Sequence, residues 1–447
     1  MITIQTPRER AYLVGVLLPG STEQKVREQM LELADLTRTS GADVVGSDVQ
    51  RRSEIEPAHF IGMGKVEELR GLRDEGSFDI VVCNEDLSPR QQRNLERELK
   101  VRVLDRTEVI LEIFAQHART HEGRLQVEAA RLHHLLPRLI GSWSYDRQAG
   151  GRRGGVGARG GPGEQQIESE RRRVRKRIRD LDEEIEQVRS KRSEARAGRR
   201  RAELETAAIV GYTNAGKSTL LNALTGASVR AEHRLFATLD PTTRRLDLPT
   251  GRGLLLTDTV GFIQKLPTDL VAAFRATLEE VTEADLVIEV LDASSAVVME
   301  HADTVERELK NLGAADKPRV VVLNKSDLLG PAQRRRLLAA MSERYSSRVV
   351  PVSATQGGGM DELLAAIEDA SRGDAVGLDL LVPYGRENVL ASLRRIGGID
   401  RTEYVDAGTR AWGWAPRHAA ARFEPYRAPE AAATGTNGSR RGRRRPG

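Results

Sequence analysis

Apolar and polar stretches alternate along the first hundred residues. Short apolar runs typical of strands (AYLVGVLL, ADVVGS, DIVVCN and VRVLD) are separated by segments with helical spacing, such as EQKVREQMLELADL and KVEELRGLRDE. Strands that alternate with helices favour a sheet whose strands run mostly parallel. We therefore predict a small α/β domain over residues 1–106.

Two long helical patterns follow this domain. The first includes EVILEIFAQHA and LQVEAARLHHLL, and the second opens at Glu164. Apolar residues of the second pattern recur at heptad steps, at Ile167, Val174, Ile178, Leu181, Ile185 and Val188. Such a seam indicates packing against a neighbouring helix. We predict a long antiparallel helical pair over residues 107–204, with a glycine- and arginine-rich connector at about 141–163.

Nearly continuous apolar strands return between residues 205 and 373, in AAIVGY, LLLTDTV, DLVIEVLDAS, RVVVLNKSD and RVVPVSAT. This pattern is typical of a doubly wound, mostly parallel sheet that is buried on both faces. A smaller α/β domain is predicted over residues 374–427, with LDLLVPY as a strand and GRENVLASLRRIGG as a helix. Residues 428–447 lack apolar periodicity, so we expect a disordered basic tail.

Charge is distributed unevenly along the chain. The 447 residues include 70 basic and 65 acidic side chains, yet residues 147–179 alone hold eleven Lys/Arg against three Asp/Glu. This excess favours a polyanionic partner, and nucleic acid is the first candidate. A solvated helix face explains part of it, because the acidic segment DLDEEIE follows. The connector itself is either a flexible linker or a tip that contacts RNA, and we favour the tip.

Cysteine usage and hydropathy limit the class of protein. Cys83 is the single cysteine, which excludes an intramolecular disulfide and a multi-cysteine metal site. No stretch near the N-terminus is typical of a signal peptide, and no apolar run reaches the roughly 18 residues needed to cross a bilayer. We expect a cytoplasmic protein.

The segment GYTNAGKST, from Gly211 to Thr219, matches the phosphate-binding pattern G-x-x-x-x-G-K-[ST]. In such a loop the backbone N–H groups face the β-phosphate, the lysine reaches the β- and γ-phosphates, and the hydroxyl of Ser218 binds Mg²⁺. The loop follows an apolar run and precedes a helical pattern, as this motif requires. By itself it does not distinguish ATP from GTP.

The segment NKSD, at residues 324–327, distinguishes the two nucleotides. The Asp327 carboxylate can accept hydrogen bonds from the ring N–H and the exocyclic amine of guanine, and adenine has no such pair of donors. Asn324 would anchor the loop, and the Lys325 stem would cover the base. The segment SAT at residues 353–355 ends the next strand, where the Ala354 N–H can meet the guanine oxygen. GTP is therefore the predicted substrate.

Two further segments complete the predicted pocket. In DTVG (258–261), Asp258 would hold Mg²⁺ through water and the Gly261 N–H would face the γ-phosphate. In FATLDPTTR, Thr238 is our choice for the switch threonine that meets Mg²⁺ and the γ-phosphate, with Thr242 and Thr243 as competitors. Both segments would order with GTP and relax after hydrolysis.

These segments together predict the residues that act on GTP. The catalytic residues are Lys217, Thr238, Asn214 and Gly261, and the Mg²⁺ ligands are Ser218 and Thr238.

The trigger for hydrolysis is less defined by sequence. Phe262 stands where Ras-like enzymes place a glutamine that orients water, so we expect slow intrinsic turnover raised by a partner. Asn214 either helps hold K⁺ between the phosphates or only stabilises the turn. The short segment GMGK at 62–65 suggests a second nucleotide only weakly, and a strand-to-helix turn explains it better.

These motifs together resemble the HflX family of translation-factor-related GTPases. GYTNAGKST, FATLDPTTR, DTVGF, NKSD and SAT carry the resemblance, as do FIGMGKVEEL, LSPRQQRNLE, DRTEVILEIFAQHA, LQVEAARLHHLLPRL and RGGPGEQQIESERR upstream. The match spans roughly residues 10–425. It implies a cytoplasmic GTPase that acts on the ribosome, chiefly its large subunit and RNA, in dissociating or rescuing ribosomes under stress. The resemblance also implies the nucleotide contacts, which are Gly211, Tyr212, Thr213, Asn214, Ala215, Gly216, Lys217, Ser218, Phe236, Ala237, Thr238, Leu239, Asp240, Asp258, Thr259, Val260, Gly261, Asn324, Lys325, Ser326, Asp327, Ser353, Ala354 and Thr355.

Two alternative functions remain at this point. A tRNA-modifying GTPase also carries asparagine at the position of Asn214, although a reactive cysteine near the C-terminus would be expected there. A membrane or signalling GTPase without RNA is the other, because an arginine-rich tip also suits anionic lipid and peripheral membrane association. We expect a monomer.

Overall fold

The computed structural model describes residues 8–141, 162–201, 205–226, 235–236, 239–263, 275–373 and 375–429. These residues divide into two compact units. One comprises those within 8–246 and 254–367, and the other comprises residues 247–253 with those within 368–429.

The N-terminal domain is an α/β layer structure that confirms the predicted alternation. Its elements are β1 (Arg10–Leu17), α1 (Glu23–Thr39), β2 (Asp43–Arg51), α2 (Met63–Asp74), β3 (Ile80–Cys83), α3 (Pro89–Leu99) and β4 (Arg102–Leu104). The strands lie in the order β2-β1-β3-β4, and every neighbouring pair is parallel. One buried cluster includes Leu33 of α1 and the other includes Leu69 of α2, so apolar residues cover both faces of the sheet.

Three helices link this domain to the next sheet: α4 (Arg106–His117), α5 (His121–Gly141) and α6 (Pro162–Arg201). Helices α5 and α6 pack through Leu125, Ala129 and the fully buried Leu181. Arg177 of α6 donates to both oxygens of Glu128 in α5, at 2.8 and 2.9 Å. Leu181 and Ile185 of the heptad seam therefore pack against α5. Connector residues 142–161 lie outside the described part of the chain.

The central domain is a doubly wound sheet. Its elements are β5 (Glu205–Gly211), α7 (Lys217–Thr225), β6 (Thr242–Asp247), β7 (Gly253–Asp258), α8 (Arg275–Glu283), β8 (Leu286–Asp292), α9 (Val298–Asn311), β9 (Arg319–Asn324), α10 (Pro331–Arg344), β10 (Arg348–Pro351) and α11 (Met360–Ser371). The strand order is β10-β9-β8-β5-β7-β6, and the first five run parallel. Every residue of β9 is buried, as its apolar sequence RVVVLN predicts.

The N-terminal and central domains share one apolar core. Tyr212 and Phe236 of the central domain belong to the same buried cluster as Leu33 of α1 and Phe114 of α4. The phosphate loop is therefore built directly against the N-terminal domain.

The second unit is a small antiparallel sheet with one main helix. Its elements are β11 (Ala375–Val382), α12 (Glu387–Ile396), β12 (Gly398–Val405), β13 (Gly408–Pro416) and the short α13 (Arg417–Ala420). Strand β13 lies between β11 and β12. The turn at 247–253 belongs to this unit, which the sequence does not reveal. Residues 430–447, the predicted disordered tail, lie outside the described residues.

Within the described ranges, every helix is too short or too polar to cross a membrane.

Candidate active site

The phosphate loop connects β5 to α7 and has two residues in left-handed conformations. Asn214 has φ 60° and Gly216 has φ 94°, which turn the chain so that α7 begins at Lys217. An asparagine tolerates this region, and glycine adopts it at no steric cost. The N-terminal N–H groups of α7 thus point into the loop, where a phosphate is favoured by the helix dipole.

Lys217 is held inside this loop by backbone oxygens. Its Nζ donates to the carbonyls of Gly211 and Tyr212, at 3.2 and 2.9 Å. Burial lowers the pKa of Lys217 to about 8, and the negative charge of Asp258 opposes that effect. Phosphate oxygens would replace the carbonyls as partners, because they carry full negative charge.

Oxygen ligands suited to Mg²⁺ meet at the start of α7. The Ser218 hydroxyl donates to Asp258 Oδ2 at 2.6 Å, so the loop hydroxyl and the carboxylate at the end of β7 are adjacent. Hydroxyl and carboxylate oxygens are the ligands that Mg²⁺ prefers. Of the two ligands predicted from sequence, Ser218 fits the ion and Thr238 lies outside the described residues together with Ala237. When bound, Mg²⁺ supplies charge that neutralises the β- and γ-phosphates.

The segment after β7 approaches the loop closely. A β-carbon at position 261 would lie 2.9 Å from both Lys217 Nζ and Thr213 Cα, so glycine is required for this contact. Thr213 N donates to Phe262 O at 2.8 Å, and Phe262 N donates to Gly211 O at 3.0 Å. Thr259 donates from Oγ1 to Ile209 O at 2.7 Å, and Val260 is buried. These bonds place the Gly261 backbone beside the lysine.

The Phe262 side chain is buried among apolar residues of the central domain. Its ring therefore lies in the core and has no polar atom with which to orient water. This position is consistent with the expectation that a group outside this side chain, supplied by a partner, is needed for catalysis.

Asn324 joins the base-binding segments to the phosphate loop. Its Nδ2 donates to Ala215 O at 2.8 Å, and its Oδ1 accepts from Ala354 N at 3.1 Å. The Ala354 N–H, which we expect to meet the guanine oxygen, thus has Asn324 as its partner in this structure. One side chain holds the NKSD segment, the SAT segment and the phosphate loop in register.

Asp327 presents an acceptor at the base site. Its Oδ2 accepts from Gln356 Nε2 at 3.3 Å, whereas its Oδ1 is buried and has no hydrogen-bond partner among the described residues. A buried carboxylate oxygen without a donor is costly, and the paired donors of guanine would satisfy it. The base assignment therefore fits the geometry.

The neighbouring residues fix these segments. Lys325 has φ 59°, and its Nζ pairs with Asp292 at the end of β8, at 2.6 Å. Ser326 N donates to Val352 O at 3.0 Å. The Ser353 hydroxyl accepts from Gln356 N at 3.2 Å and lies 3.4 Å from the Thr355 hydroxyl. Asp292 is a site residue that sequence motifs alone miss, although it ends a strand at the same edge of the sheet.

The described part of the switch segment contacts α4 and α5. The Phe236 ring packs edge-on against Phe114, with centroids 4.7 Å apart, and Leu239 is buried in the same cluster. Asp240 Oδ2 accepts from the backbone N–H groups of Arg119 and Thr120, both at 2.9 Å, at the start of α5. Contacts of Phe236, Leu239 and Asp240 with the nucleotide stay predictions, and Thr242 and Thr243 lie in β6.

Tyr212 has a further role that no sequence signal predicts. Its ring stacks on His301, with centroids 3.8 Å apart, and its hydroxyl donates to Glu32 Oε1 of α1 at 2.6 Å. Glu32 Oε2 accepts from Arg106 at 2.8 Å. Tyr212 O also accepts from Lys217, so the same residue contacts both the phosphate-loop lysine and the N-terminal domain.

Three family models match consecutive parts of the chain. They are described as GTP-binding GTPase N-terminal for residues 27–115, GTP-binding GTPase Middle Region for 117–199, and 50S ribosome-binding GTPase for 206–325. The chain is 43% identical over 401 residues to GTPase HflX of Caldanaerobacter subterraneus, and the alignment covers 90% of each chain. It is 41% identical over 402 residues to GTPase HflX of Escherichia coli, covering 90% of this chain and 92% of the relative.

The chain belongs to the HflX family of GTPases. GTPase HflX of Akkermansia muciniphila is 44% identical over 405 residues, covering 90% of this chain and 93% of its own. A solved GDP complex of a protein called SsGBP aligns with 81% of this chain and 98% of its own, at 26% identity and a TM-score of 0.48. This HflX chain binds and hydrolyses GTP, and its family is associated with the ribosome.

The geometry suits phosphoryl transfer. Lys217 and the N–H groups at the start of α7 would place positive charge where negative charge develops on the γ-phosphate. Ser218 and Asp258 would hold Mg²⁺, and Asp327 with Asn324 would fix the base.

Proposed function

We propose that this HflX chain is a GTP-driven switch that binds the ribosome, chiefly the large subunit and its RNA, and dissociates or rescues ribosomes under stress. The observation that carries the proposal is the match of residues 206–325 to the family described as 50S ribosome-binding GTPase. The basic excess over residues 147–179 supplies positive charge of the kind that binding to ribosomal RNA requires. The chain would act in the cytoplasm as a monomer.

Sedimentation with purified subunits tests this function. We expect the chain to sediment with the large subunit when loaded with a non-hydrolysable GTP analogue, and to do so weakly with GDP. Binding to neither subunit in either state would refute the proposal. Flotation with vesicles of anionic lipid, run in parallel, would detect peripheral membrane association instead.

The connector is the proposed RNA-contacting tip, although its residues lie outside those described. Replacing Arg152, Arg153 and Arg159 by alanine should flatten the salt dependence of subunit binding by about one unit of log–log slope per lost phosphate contact. The matched control replaces Arg334, Arg335 and Arg336, three exposed arginines of α10. If both triple variants change the slope equally, only net charge matters and the connector is a linker.

We further propose that turnover is completed by the partner and by K⁺ held near Asn214. Asn214 is exposed at the phosphate loop, in a left-handed conformation that leaves its side chain free of the core. GTP hydrolysis should be faster in KCl than in NaCl at equal ionic strength, and Asn214→Ala should remove that difference. Equal wild-type rates in both salts would refute the K⁺ role, and absence of stimulation by subunits would refute partner completion.

The tRNA-modifying alternative loses support from the position of Cys83. The thiol is fully buried in the core of the N-terminal domain, and burial raises its pKa. A thiol in this environment is a poor nucleophile.

A further inference from the structure

A cavity of about 280 Å³ lies within the second unit. It is bounded by the turn at Thr250, the end of α11 and the end of α12, and by the beginning of β12. Its lining residues are Thr250, Arg372, Arg394, Gly398, Ile399, Asp400, Arg401, Thr402 and Trp414. Arginines from three different segments thus line one opening.

The charge of this lining is positive. Arg394 is exposed and, in the described ranges, forms no ion pair or hydrogen bond. Arg372 lies 3.8 Å from Glu368, and Arg401 lies 3.5 Å from Glu403 on the surface, distances at which each guanidinium keeps donors to spare. Asp400 is the single acidic residue of the lining, so three cations face one anion.

Trp414 forms the buried wall of the cavity. It is 6% exposed, and the guanidinium carbons of Arg252 and Arg372 lie over its ring, 4.8 and 4.9 Å from the ring centroid. Its Nε1 is buried and has no hydrogen-bond partner among the described residues. An indole N–H is a donor only, and leaving it unpaired in a buried position is costly.

The Trp414 indole packs closely against Gly398. A β-carbon built on Gly398 would lie 2.5 Å from Nε1, so glycine is required for this contact. Beside this indole, the lining offers the forks of Arg372, Arg394 and Arg401. A ligand that satisfies all of them carries several acceptor oxygens and negative charge, as a phosphate group does.

We propose that this cavity, the Trp414 pocket, binds a phosphodiester group of RNA. The next part of β12 favours RNA over free phosphate. Thr402 lines the cavity, and Tyr404, two residues along the strand and on the same face, is 79% exposed. An exposed aromatic ring about 7 Å along a strand from a phosphate site is placed to stack a neighbouring base. This inference rests on the proposed RNA partner, and it adds a contact separate from the connector.

Fluorine NMR of the full chain labelled with 5-fluorotryptophan tests the proposal. The sequence has three tryptophans, and the Trp414→Phe variant assigns the Trp414 resonance. A short single-stranded RNA should shift this resonance at a concentration at least tenfold lower than inorganic phosphate does. GTP should not shift it at concentrations that saturate the phosphate loop.

Variants separate the contacts. Arg394→Ala should raise the RNA concentration for half-maximal shift about tenfold, whereas Arg395→Ala, the adjacent exposed arginine that does not line the cavity, should leave it unchanged. Tyr404→Ala should weaken the response to RNA and leave the response to phosphate as it was. An unchanged Trp412 resonance in each variant shows that the second unit is folded.

The outcomes distinguish the pocket from the ribosomal function. Equal sensitivity to phosphate and RNA would overturn the RNA assignment, and no shift with either would overturn the pocket altogether. If the chain sediments with large subunits and RNA does not shift the Trp414 resonance, the proposed function stands and the pocket proposal is wrong. If RNA shifts the resonance and the chain does not sediment with subunits, the pocket proposal stands and the ribosomal partner is wrong.

Discussion

The hydrogen bond from Tyr212 to Glu32 joins the phosphate loop to α1, and a double-mutant cycle should detect it as an energetic coupling. Tyr212→Phe removes only the hydroxyl, whose oxygen lies 2.6 Å from Glu32 Oε1. Glu32→Ala removes the acceptor and also takes from Arg106 the carboxylate that it contacts at 2.8 Å. Wild type, the two single variants and the double variant are the four proteins of the cycle.

The structure sets the expected magnitudes. A hydrogen bond to a charged group contributes about 1.5–3 kcal/mol, so Tyr212→Phe should lower the free energy of unfolding by about 2 kcal/mol. Glu32→Ala should cost more, about 3–4 kcal/mol, because the Arg106 side chain is only 4% exposed and loses this partner. We expect a coupling energy of about 1.5 kcal/mol between positions 212 and 32.

Equilibrium unfolding in urea measures these values. The N-terminal and central domains share a buried cluster that contains Tyr212 and Phe114, so we expect them to unfold in one transition. Tyr404→Phe, at a tyrosine that is 79% exposed, serves as the control and should change stability by less than about 0.5 kcal/mol. Additivity of the two substitutions within about 0.5 kcal/mol would show that the domains are not coupled through this bond.

Three further predictions follow from single positions. Asp327→Asn should move nucleotide preference from GTP to XTP, and competition that still favours GTP by the wild-type margin would refute the base assignment. Burial raises the pKa of the Glu289 carboxyl from 4.5 to about 6, so the folded protein binds this proton more tightly than the unfolded chain does. The free energy of unfolding should therefore fall by about 2 kcal/mol as the pH rises from 4.5 through 6. Glu289→Gln should lack this component, and equal pH slopes in urea unfolding would contradict it. Asp240→Ala should lower the free energy of unfolding by about 1 kcal/mol, because it removes the acceptor that caps the N-terminus of α5. Asp240→Asn retains an acceptor and should cost less than half of that. Equal losses of stability in the two variants would exclude capping.

The segments predicted to bind the nucleotide can be recognised in the sequence because each of them is short and local. Gly216, Lys217 and Ser218 form one turn, and Asn324 and Asp327 lie within one segment at the end of a buried strand. The carboxyl ends of parallel strands meet at one edge of a doubly wound sheet, so recognising the strands was enough to bring the segments together. The parallel sheet of the N-terminal domain was predictable for a similar reason, since apolar runs and helical periodicity are local properties.

Contacts between distant segments were decided by the tertiary structure. Tyr212 and Glu32 are 180 residues apart, and Asp240 caps a helix that begins more than a hundred residues earlier. The turn at 247–253 lies between two strands of the central sheet and yet belongs to the second unit. Trp414 lies against Arg252 of that turn and against Arg372, which follows α11. The sequence around each of these side chains resembles that around an ordinary surface or core residue. Their partners depend on how the layers of the fold pack, and contacts made by packing between distant segments produce no periodic pattern in the sequence.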